Sequence, residues 1–460
     1  MVWEVLWELR PGFGRLRTFL WFSVAVMGFC VRKDLAGVSS FIRALGLQED
    51  CYDRMLDFFH SSSIKLDTLT ILWTRFVMRV LPVLKVNGCI VLVADGIKIP
   101  KEGKKMPAVK SLHQESQSNT KPEYIMGHSC QVVAALVGNL RYTIAVPLIS
   151  RICEGIVRSN RQSKTLLDKL LDMVGALLLT TPYYLVCDAY YASGAMVQGL
   201  LKGGNHLVTR VRTNSVAFAS PAAQAQKRRG RRRIYGKKIF LRTLFKQLNQ
   251  FVKCESPIYD DRSITLRYQN LDLLWRPVGH LVRFVLVAHP TRGNIILMSS
   301  DLSLSPIEII KLYAWRFKIE VSFKQARHSL GAYSYHFWAS CMKPIRRGEG
   351  NQHLHRATKR YRNSILRKLA AYNAFIQTGV IAQGLLIYLS VMKTDLVWKF
   401  FGSWLRTIRP GVLPSEQVVM LALKNSLPEF LLDSSQAPIL QKFIQERIDL
   451  SRPEGLQFAA

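Results

Sequence analysis

Four polar residues around position 320 have a spacing that suits one face of a helix. Intervals of 3, 4 and 7 residues separate Tyr313, Arg316, Glu320 and Arg327. At roughly 100° per residue, these intervals keep all four within an arc of about 60°. The adjoining arc is apolar and contains Leu312, Ile319, Phe323, Ala326 and Leu330. The pattern predicts a helix whose polar stripe runs along the edge of a buried face, where side chains are held rigidly beside a cleft.

One interpretation of this stripe involves no chemistry, because Arg316 and Glu320 would form an ordinary ion pair four residues apart on a helix. Two further acids favour a chemical interpretation. Asp95 and Asp188 each follow directly after a short apolar run that is predicted to be a buried strand. Three carboxylates arriving from two strand ends and a helix suit Mg²⁺, which takes hard oxygen ligands. Two such ions about 4 Å apart are what phosphodiester cleavage and strand joining require.

The charge balance of the chain points to a polyanionic partner. The sequence has 64 Lys and Arg residues against 31 Asp and Glu residues, a formal net charge of +33. A surplus of this size attracts polyanions at long range, and nucleic acid is favoured over an acidic membrane surface. The positive charge is spread along the whole chain rather than gathered on one amphipathic helix, which argues against a membrane-surface protein. A soluble protein with an unusual isoelectric point is the plainer alternative.

Cysteines and apolar segments indicate where the chain folds. No two of the eight cysteines have the C-x-x-C spacing of a zinc or redox motif, which is typical of a reducing, cytosolic setting. The apolar segments 19–31 and 379–392 are too short to span a bilayer, and they are predicted to be buried helices.

The order of predicted elements indicates a mixed α/β fold. Residues 1 to about 85 and the region after about 355 have helical patterns. Between them, strands are predicted at 89–94, 129–137, 142–149, 182–187 and 206–212, and helices at 159–178 and 192–202. The resulting order is β-β-β-α-β-α-β, with one acid directly after the first strand and another after the fourth.

A change of character follows at residue 213. Strand-like runs at 237–242, 263–269, 281–288 and 294–299 predict a β-rich insertion over 213–300. The dense basic cluster 226–233 is either a loop that binds phosphates or a solvated loop, and DNA contact is the favoured interpretation. A capping box then opens the next helix, because Ser305 precedes Pro306 and is followed by Glu308 at the third helical position.

The run from Tyr313 to Arg327 resembles the Y-x₂-R-x₃-E-x₆-K signature of bacterial insertion-sequence transposases of the DDE superfamily. It is most similar to the branch with a β-rich insertion between the second aspartate and the glutamate, and the gap from Asp188 to Glu320 leaves room for one. The resemblance covers about residues 85–340. It implies a ribonuclease H-like catalytic core, interrupted by the insertion and flanked by helical N- and C-terminal regions.

The resemblance also implies roles for the residues. Asp95, Asp188 and Glu320 would be the catalytic metal ligands. Contacts to DNA would come from Tyr313, Arg316, Lys324 and Arg327. Two departures from the family pattern are present: the final basic position is an arginine, and Asp95 is followed by Gly-Ile-Lys, where a hydroxyl residue two places on is common. Asp301, which follows the last insertion strand, is the alternative to Asp95, although a strand-to-helix turn is favoured for it.

The function implied is that of a DDE transposase, which cleaves DNA and transfers strands at the terminal inverted repeats of an insertion sequence. Two Mg²⁺ ions, with Mn²⁺ as a substitute, would be the cofactors, and double-stranded DNA the partner in a synaptic dimer. The expected setting is the bacterial cytoplasm at the nucleoid. The alternative is a catalytically inactive or domesticated transposase-derived DNA-binding protein. The expected regions are 1–85 for DNA binding, 86–212 and 301–340 for the catalytic core, 213–300 for the insertion and 341–460 for the helical C-terminal region.

Overall fold

The computed structural model has a mixed α/β fold, in which helices from both ends of the chain flank one large mixed sheet. It describes residues 1–114, 122–139, 142–161, 164–221, 233–258, 261–402, 412–432 and 437–451. The predicted fold class is confirmed.

The first 85 residues are helical, as predicted. Their helices are α1 (Val2–Glu8), α2 (Leu16–Val31), α3 (Ser39–Ala44), α4 (Cys51–Phe59) and α5 (Leu66–Val80). Helix α2 contains the apolar segment 19–31 and is buried over nearly its whole length. Its Phe29 packs against both Phe41 and Phe375, so the two ends of the chain share one core.

The central part of the chain has the predicted order of long elements. In sequence they are β1 (Lys85–Val86), β2 (Cys89–Pro100), β3 (Lys110–His113), β4 (Tyr124–Gly138), β5 (Thr143–Ile152), β6 (Ile156–Val157), α6 (Leu166–Gly175), β7 (Tyr183–Cys187), α7 (Gly194–Leu201) and β8 (His206–Arg210). The prediction of a helix over 159–178 was too long. Thr165 begins α6 instead, because its side chain forms a capping box with Asp168.

The pairing of these strands determines where the strand ends lie. Strand β2 runs parallel to β7, and β7 runs parallel to β8. On the other side β4 is antiparallel to β2, and β5 is antiparallel to β4. The core order is therefore β5-β4-β2-β7-β8, consistent with the expected ribonuclease H-like core. The carboxyl ends of the three parallel strands point to one edge of the sheet.

The stretch after β8 is rich in strands, as predicted. It contains β9 (Val216–Phe218), β10 (Lys238–Phe240), β11 (Val252–Glu255), β12 (Thr265–Trp275), β13 (His280–His289) and β14 (Gly293–Ser299). Strand β14 pairs antiparallel with β8, so these strands extend the core sheet in the order β10-β9-β12-β13-β14-β8. Of the basic cluster 226–233, residues 226–232 lie outside the described residues.

The rest of the chain is mostly helical. It comprises α8 (Pro306–Trp315), α9 (Phe317–Gln325), a π-helical turn (Ala326–Leu330), β15 (Gln352–His353), α10 (Lys359–Met392), α11 (Thr394–Phe401), α12 (Glu416–Leu432) and α13 (Pro438–Gln445). By length and composition α10 could cross a membrane, with a mean hydropathy of 1.6 over its most apolar window. That window is 89% buried inside the protein, which is also the behaviour of a core helix. The predicted burial of 379–392 is confirmed.

Glu416, at the start of α12, is a buried acid whose ionisation is unfavourable in the folded protein. Neither of its carboxyl oxygens has a hydrogen-bond partner among the described residues. Burial raises the pKa of Glu416 to about 8, and the nearby Gln383 side chain offsets this only in part. Between the ordinary carboxyl pKa and about 8, the folded protein keeps a proton that the unfolded chain releases. Stability therefore falls as the pH rises through this window, and the cost is complete above it.

We expect Glu416→Gln to raise the free energy of unfolding by roughly 3 kcal/mol at about pH 8.5, because the amide needs no ionisation. The gain should shrink towards zero as the pH falls below about 4, where the carboxyl becomes protonated in both states. Urea unfolding at several pH values measures it. Glu429→Gln, the same change at an exposed position of α12, should give no pH-dependent gain. Equal curves for the two variants would contradict the prediction.

Candidate active site

Asp95 lies inside its strand rather than at its end, and the prediction that it ends the strand was wrong. Strand β2 continues to Pro100 because the long strand β4 pairs with it from Leu92 to Pro100, with Asp95 opposite Val132. The pairing of β2 with β7 stops earlier, at Val93 opposite Val186. Asp95 therefore lies just beyond the end of β7, where β2 no longer pairs with that strand.

Asp188 follows directly after β7 and lies beside Asp95. Because Val93 is opposite Val186 in parallel strands, continuing this register puts the two aspartates in one row. The Oδ1 atom of Asp188 accepts a hydrogen bond from the Tyr190 backbone N–H at 3.1 Å. Its backbone carbonyl accepts another from the Thr209 hydroxyl at 2.7 Å. These bonds fix the turn that presents the carboxylate.

The pKa of Asp95 is affected by its burial and by the two other acids of the site. This pKa is raised to about 6, first by burial and then by the negative charge of Asp188, with a smaller contribution from Glu320. Arg316 lowers it, and so does the Gly96 N–H, which donates to Oδ1 at 2.7 Å. Neighbouring negative charges that raise the pKa of Asp95 also favour binding of an added cation there.

Arg316 joins the helical segment to the sheet. Its Nη1 atom donates to Oδ2 of Asp95 at 3.0 Å, and its Nη2 atom donates to Oε1 of Glu320 at 2.7 Å. The exposed fractions of these side chains are 17% for Arg316, 19% for Asp95 and 43% for Glu320. The helical ion pair considered from sequence is thus present, but it is part of a bridge between two acids.

The helix that carries these residues is less regular than predicted. It is interrupted at Arg316, between α8 and α9, and it ends in the π-helical turn that contains Arg327. Arg327 lies in this π-turn, and its charge lowers the pKa of Tyr333, a pKa that burial raises overall. Tyr313, Arg316 and Glu320 lie together as the predicted stripe requires, and the place of Arg327 on that stripe stays a prediction. Lys324 is exposed on α9.

Tyr313 does lie at the site. Burial raises the pKa of its hydroxyl, and the charges that act on it come from Arg316, Arg210 and Asp188. The Arg316 guanidinium carbon lies 5.9 Å from the centre of its ring. Tyr313 therefore connects Arg316 to the row of residues at the strand ends.

Arg210 is a site residue that the sequence analysis missed. It is the last residue of β8, and because Cys187 pairs with Thr209, continuing the register aligns Arg210 with Asp188. The row at the sheet edge thus runs from Asp95 through Asp188 to Arg210. Its position at the end of the third parallel strand was the available signal, since the same reasoning identified Asp188.

Asp301 does not belong to this site. Its Oδ2 atom accepts from the Tyr184 hydroxyl, and its Oδ1 atom accepts from the backbone N–H and hydroxyl of Ser303 at 2.8 Å. Tyr184 lies near the beginning of β7, so Asp301 is at the opposite end of the parallel strands from Asp188. The favoured interpretation of Asp301 as a turn residue is confirmed, and Asp301 cannot replace Asp95.

The acids suit a divalent metal by their chemistry, since carboxylate oxygens are the donors that Mg²⁺ takes. In the part of the chain that the structure describes, however, no three or more acidic, histidine or cysteine side chains are already grouped around one metal position. The physical reason is visible in the contacts. The guanidinium of Arg316 lies between Asp95 and Glu320 and supplies the positive charge there.

Comparison with known proteins adds a family to this geometry. No curated protein matches the chain. A family model described as DDE superfamily endonuclease matches residues 8–258, more than half of the sequence. The match includes Asp95 and Asp188 and ends before Glu320. Members of this family act on DNA and generally use divalent metal ions. The chain belongs to the DDE superfamily endonucleases.

Proposed function

We propose that this protein is a DDE transposase that cleaves DNA at the terminal inverted repeats of an insertion sequence and joins the freed strands to target DNA. The observation that carries the proposal is the gathering of three acids at one edge of the sheet. Asp95 and Asp188 stand in one row there, and Arg316 ties Glu320 to Asp95. Family membership independently supports cutting of DNA.

In this proposal Asp95, Asp188 and Glu320 hold two Mg²⁺ ions, for which Mn²⁺ can substitute. When bound, such ions activate the attacking oxygen and stabilise the leaving oxygen of a phosphodiester. The protein's own contribution is to fix the three carboxylates on rigid elements and to bind the DNA backbone near the cut. Arg316 suits the second task, because a guanidinium can donate two parallel hydrogen bonds to a phosphate.

Other cations extend the proposed DNA contact. Arg210 lies in the row of the aspartates, and Lys324 and Arg327 follow Glu320 along the chain. The net charge of +33 supports binding of double-stranded DNA through its phosphates. We assign recognition of the inverted repeats to the helical residues 1–85. A synaptic dimer in the bacterial cytoplasm would bring the two ends of the element together.

The test uses the full-length protein and a linear DNA that carries the sequences flanking its gene. With Mg²⁺ or Mn²⁺, we expect strand breaks at the element ends and joined products with a second DNA; with EDTA, neither should form. The proposal would be overturned if the protein bound this DNA but cleaved no strand in the presence of either Mg²⁺ or Mn²⁺. That result would favour the alternative, a transposase-derived protein that binds DNA without cutting it.

A further inference from the structure

The positive charge of Arg316 lies between two carboxylates of the candidate site. Its two terminal nitrogens donate to Asp95 at 3.0 Å and to Glu320 at 2.7 Å. Burial alone would lower the pKa of Arg316, yet the charge of Asp95, followed by those of Tyr313 and Glu320, raises it above its ordinary value. Hydrogen bonds between two charged groups are among the strongest in proteins. A single positive charge of the protein is therefore already shared between Asp95 and Glu320.

We propose that Arg316 closes the metal site of the DNA-free protein, and that a DNA phosphate opens it by drawing the guanidinium away from Asp95 and Glu320. This inference rests on the proposed function, since it concerns the same three acids. It adds an order of assembly: DNA binds first, and the metal ions bind fully only afterwards.

The contacts explain why metal and arginine compete. A divalent ion between Asp95 and Glu320 needs the carboxylate oxygens to which Arg316 donates. Metal binding in the absence of DNA must therefore break two charge-assisted hydrogen bonds and leave a guanidinium close to the ion. A phosphate removes both obstacles, because it offers the guanidinium another pair of acceptors.

The same argument makes metal and DNA binding reciprocal. If DNA raises the affinity for metal by some factor, metal must raise the affinity for DNA by the same factor. The element that moves need only be one side chain. Arg316 lies at the interruption between α8 and α9, with Tyr313 beside it.

A lysine at position 316 distinguishes two hypotheses: closure of the site by a bridging guanidinium, and an effect of positive charge alone. Its ammonium carries the same charge, but it lacks the planar fork that spans two carboxylates. If Arg316 acts as a bridge, Arg316→Lys should open the site. If it acts only by charge, Arg316→Lys should resemble the wild type. Arg283→Lys is the matched control, because Arg283 also donates two hydrogen bonds to a carboxylate, that of Asp272 on β12, outside the candidate site.

The experiment measures Mn²⁺ binding by the loss of the free-ion electron paramagnetic resonance signal, with full-length protein and no DNA. We expect Arg316→Lys and Arg316→Met each to bind Mn²⁺ about tenfold more tightly than the wild type, the equivalent of one charge-assisted hydrogen bond. Arg283→Lys should match the wild type. Adding duplex DNA that carries the flanking sequence should tighten Mn²⁺ binding by the wild type much more than by Arg316→Lys.

The outcomes are distinguishable. Wild-type Mn²⁺ affinity in both Arg316 variants, or an equal increase in Arg283→Lys, would overturn the closure by Arg316 and leave the proposed function standing. Mn²⁺ binding by none of the proteins, with or without DNA, would overturn the proposed metal-dependent function itself. Circular dichroism of each variant establishes that it is folded, and Arg316→Met provides the comparison should Arg316→Lys fail to fold.

Discussion

Glu320→Gln is expected to slow metal-dependent strand cleavage by about a thousandfold, equivalent to about 4 kcal/mol of transition-state stabilisation. The change keeps the size of the side chain and an oxygen that Arg316 can still donate to, but it removes the negative charge that a metal ion needs. DNA binding in EDTA should stay within about twofold, since phosphate contacts come from cations. Single-turnover cleavage of the flanking DNA measures the effect.

Two controls make the same chemical change elsewhere. Glu308→Gln lies in the capping box at the start of α8, where its side chain accepts from the Ser305 backbone N–H at 3.1 Å. Asp301→Asn lies at the opposite end of the parallel strands. We expect both folded variants to cleave within about twofold of the wild type, because neither residue contacts the acids of the site. Undiminished cleavage by Glu320→Gln would remove Glu320 from the catalytic assignment.

The position of Asp188 was predictable because it depends on local pattern. A short apolar, β-branched run followed directly by an acid reads as a buried strand with an acid at its end, and this is what β7 and Asp188 are. The end of β2 was not predictable in this way. It depends on the length of β4, a partner more than thirty residues away, and no feature around Asp95 reveals how far that partner extends.

The contacts of the helical segment show a second limit. The 3.6-residue periodicity correctly placed Leu312, Ile319 and Leu330 in the core. It assumed a regular α-helix as far as Arg327, however, and the π-helical turn that contains Arg327 departs from that geometry. Periodicity also cannot show which distant residue a side chain meets. The bridge from Arg316 to Asp95 spans 221 positions in sequence and exists only once β2 and the helix pack together.

In the insertion, the strands could be predicted from sequence, but their position in the sheet could not. Strands were expected between 213 and 300, and β9 to β14 are there. Strand patterns alone do not say which edge a strand joins. Strand β8 has one neighbour in the core, so its other edge offers unpaired backbone groups, and β14 pairs with it. The insertion strands therefore continue the same sheet that carries the aspartates.

Gly384→Ala is expected to lower the free energy of unfolding by about 3 kcal/mol, through overpacking where α10 meets α5. A Cβ atom at this position would lie 2.1 Å from a ring carbon of Trp73. The indole has little room to yield, because it is fully buried and its Nε1 donates to the Pro147 carbonyl at 3.0 Å. The better helix propensity of alanine offsets at most about 1 kcal/mol of this loss.

The matched control is Gly175→Ala, at the last residue of α6. A Cβ atom there meets nothing within 4 Å, so the variant should be as stable as the wild type or up to about 1 kcal/mol more stable. Urea unfolding compares both. The adjacent Gln383 donates to the Ser322 carbonyl of α9 at 3.0 Å, so a displaced Gly384 should also disturb the helix that carries Glu320. If Gly384→Ala were as stable as the wild type, α10 and α5 would not pack as closely as these distances require.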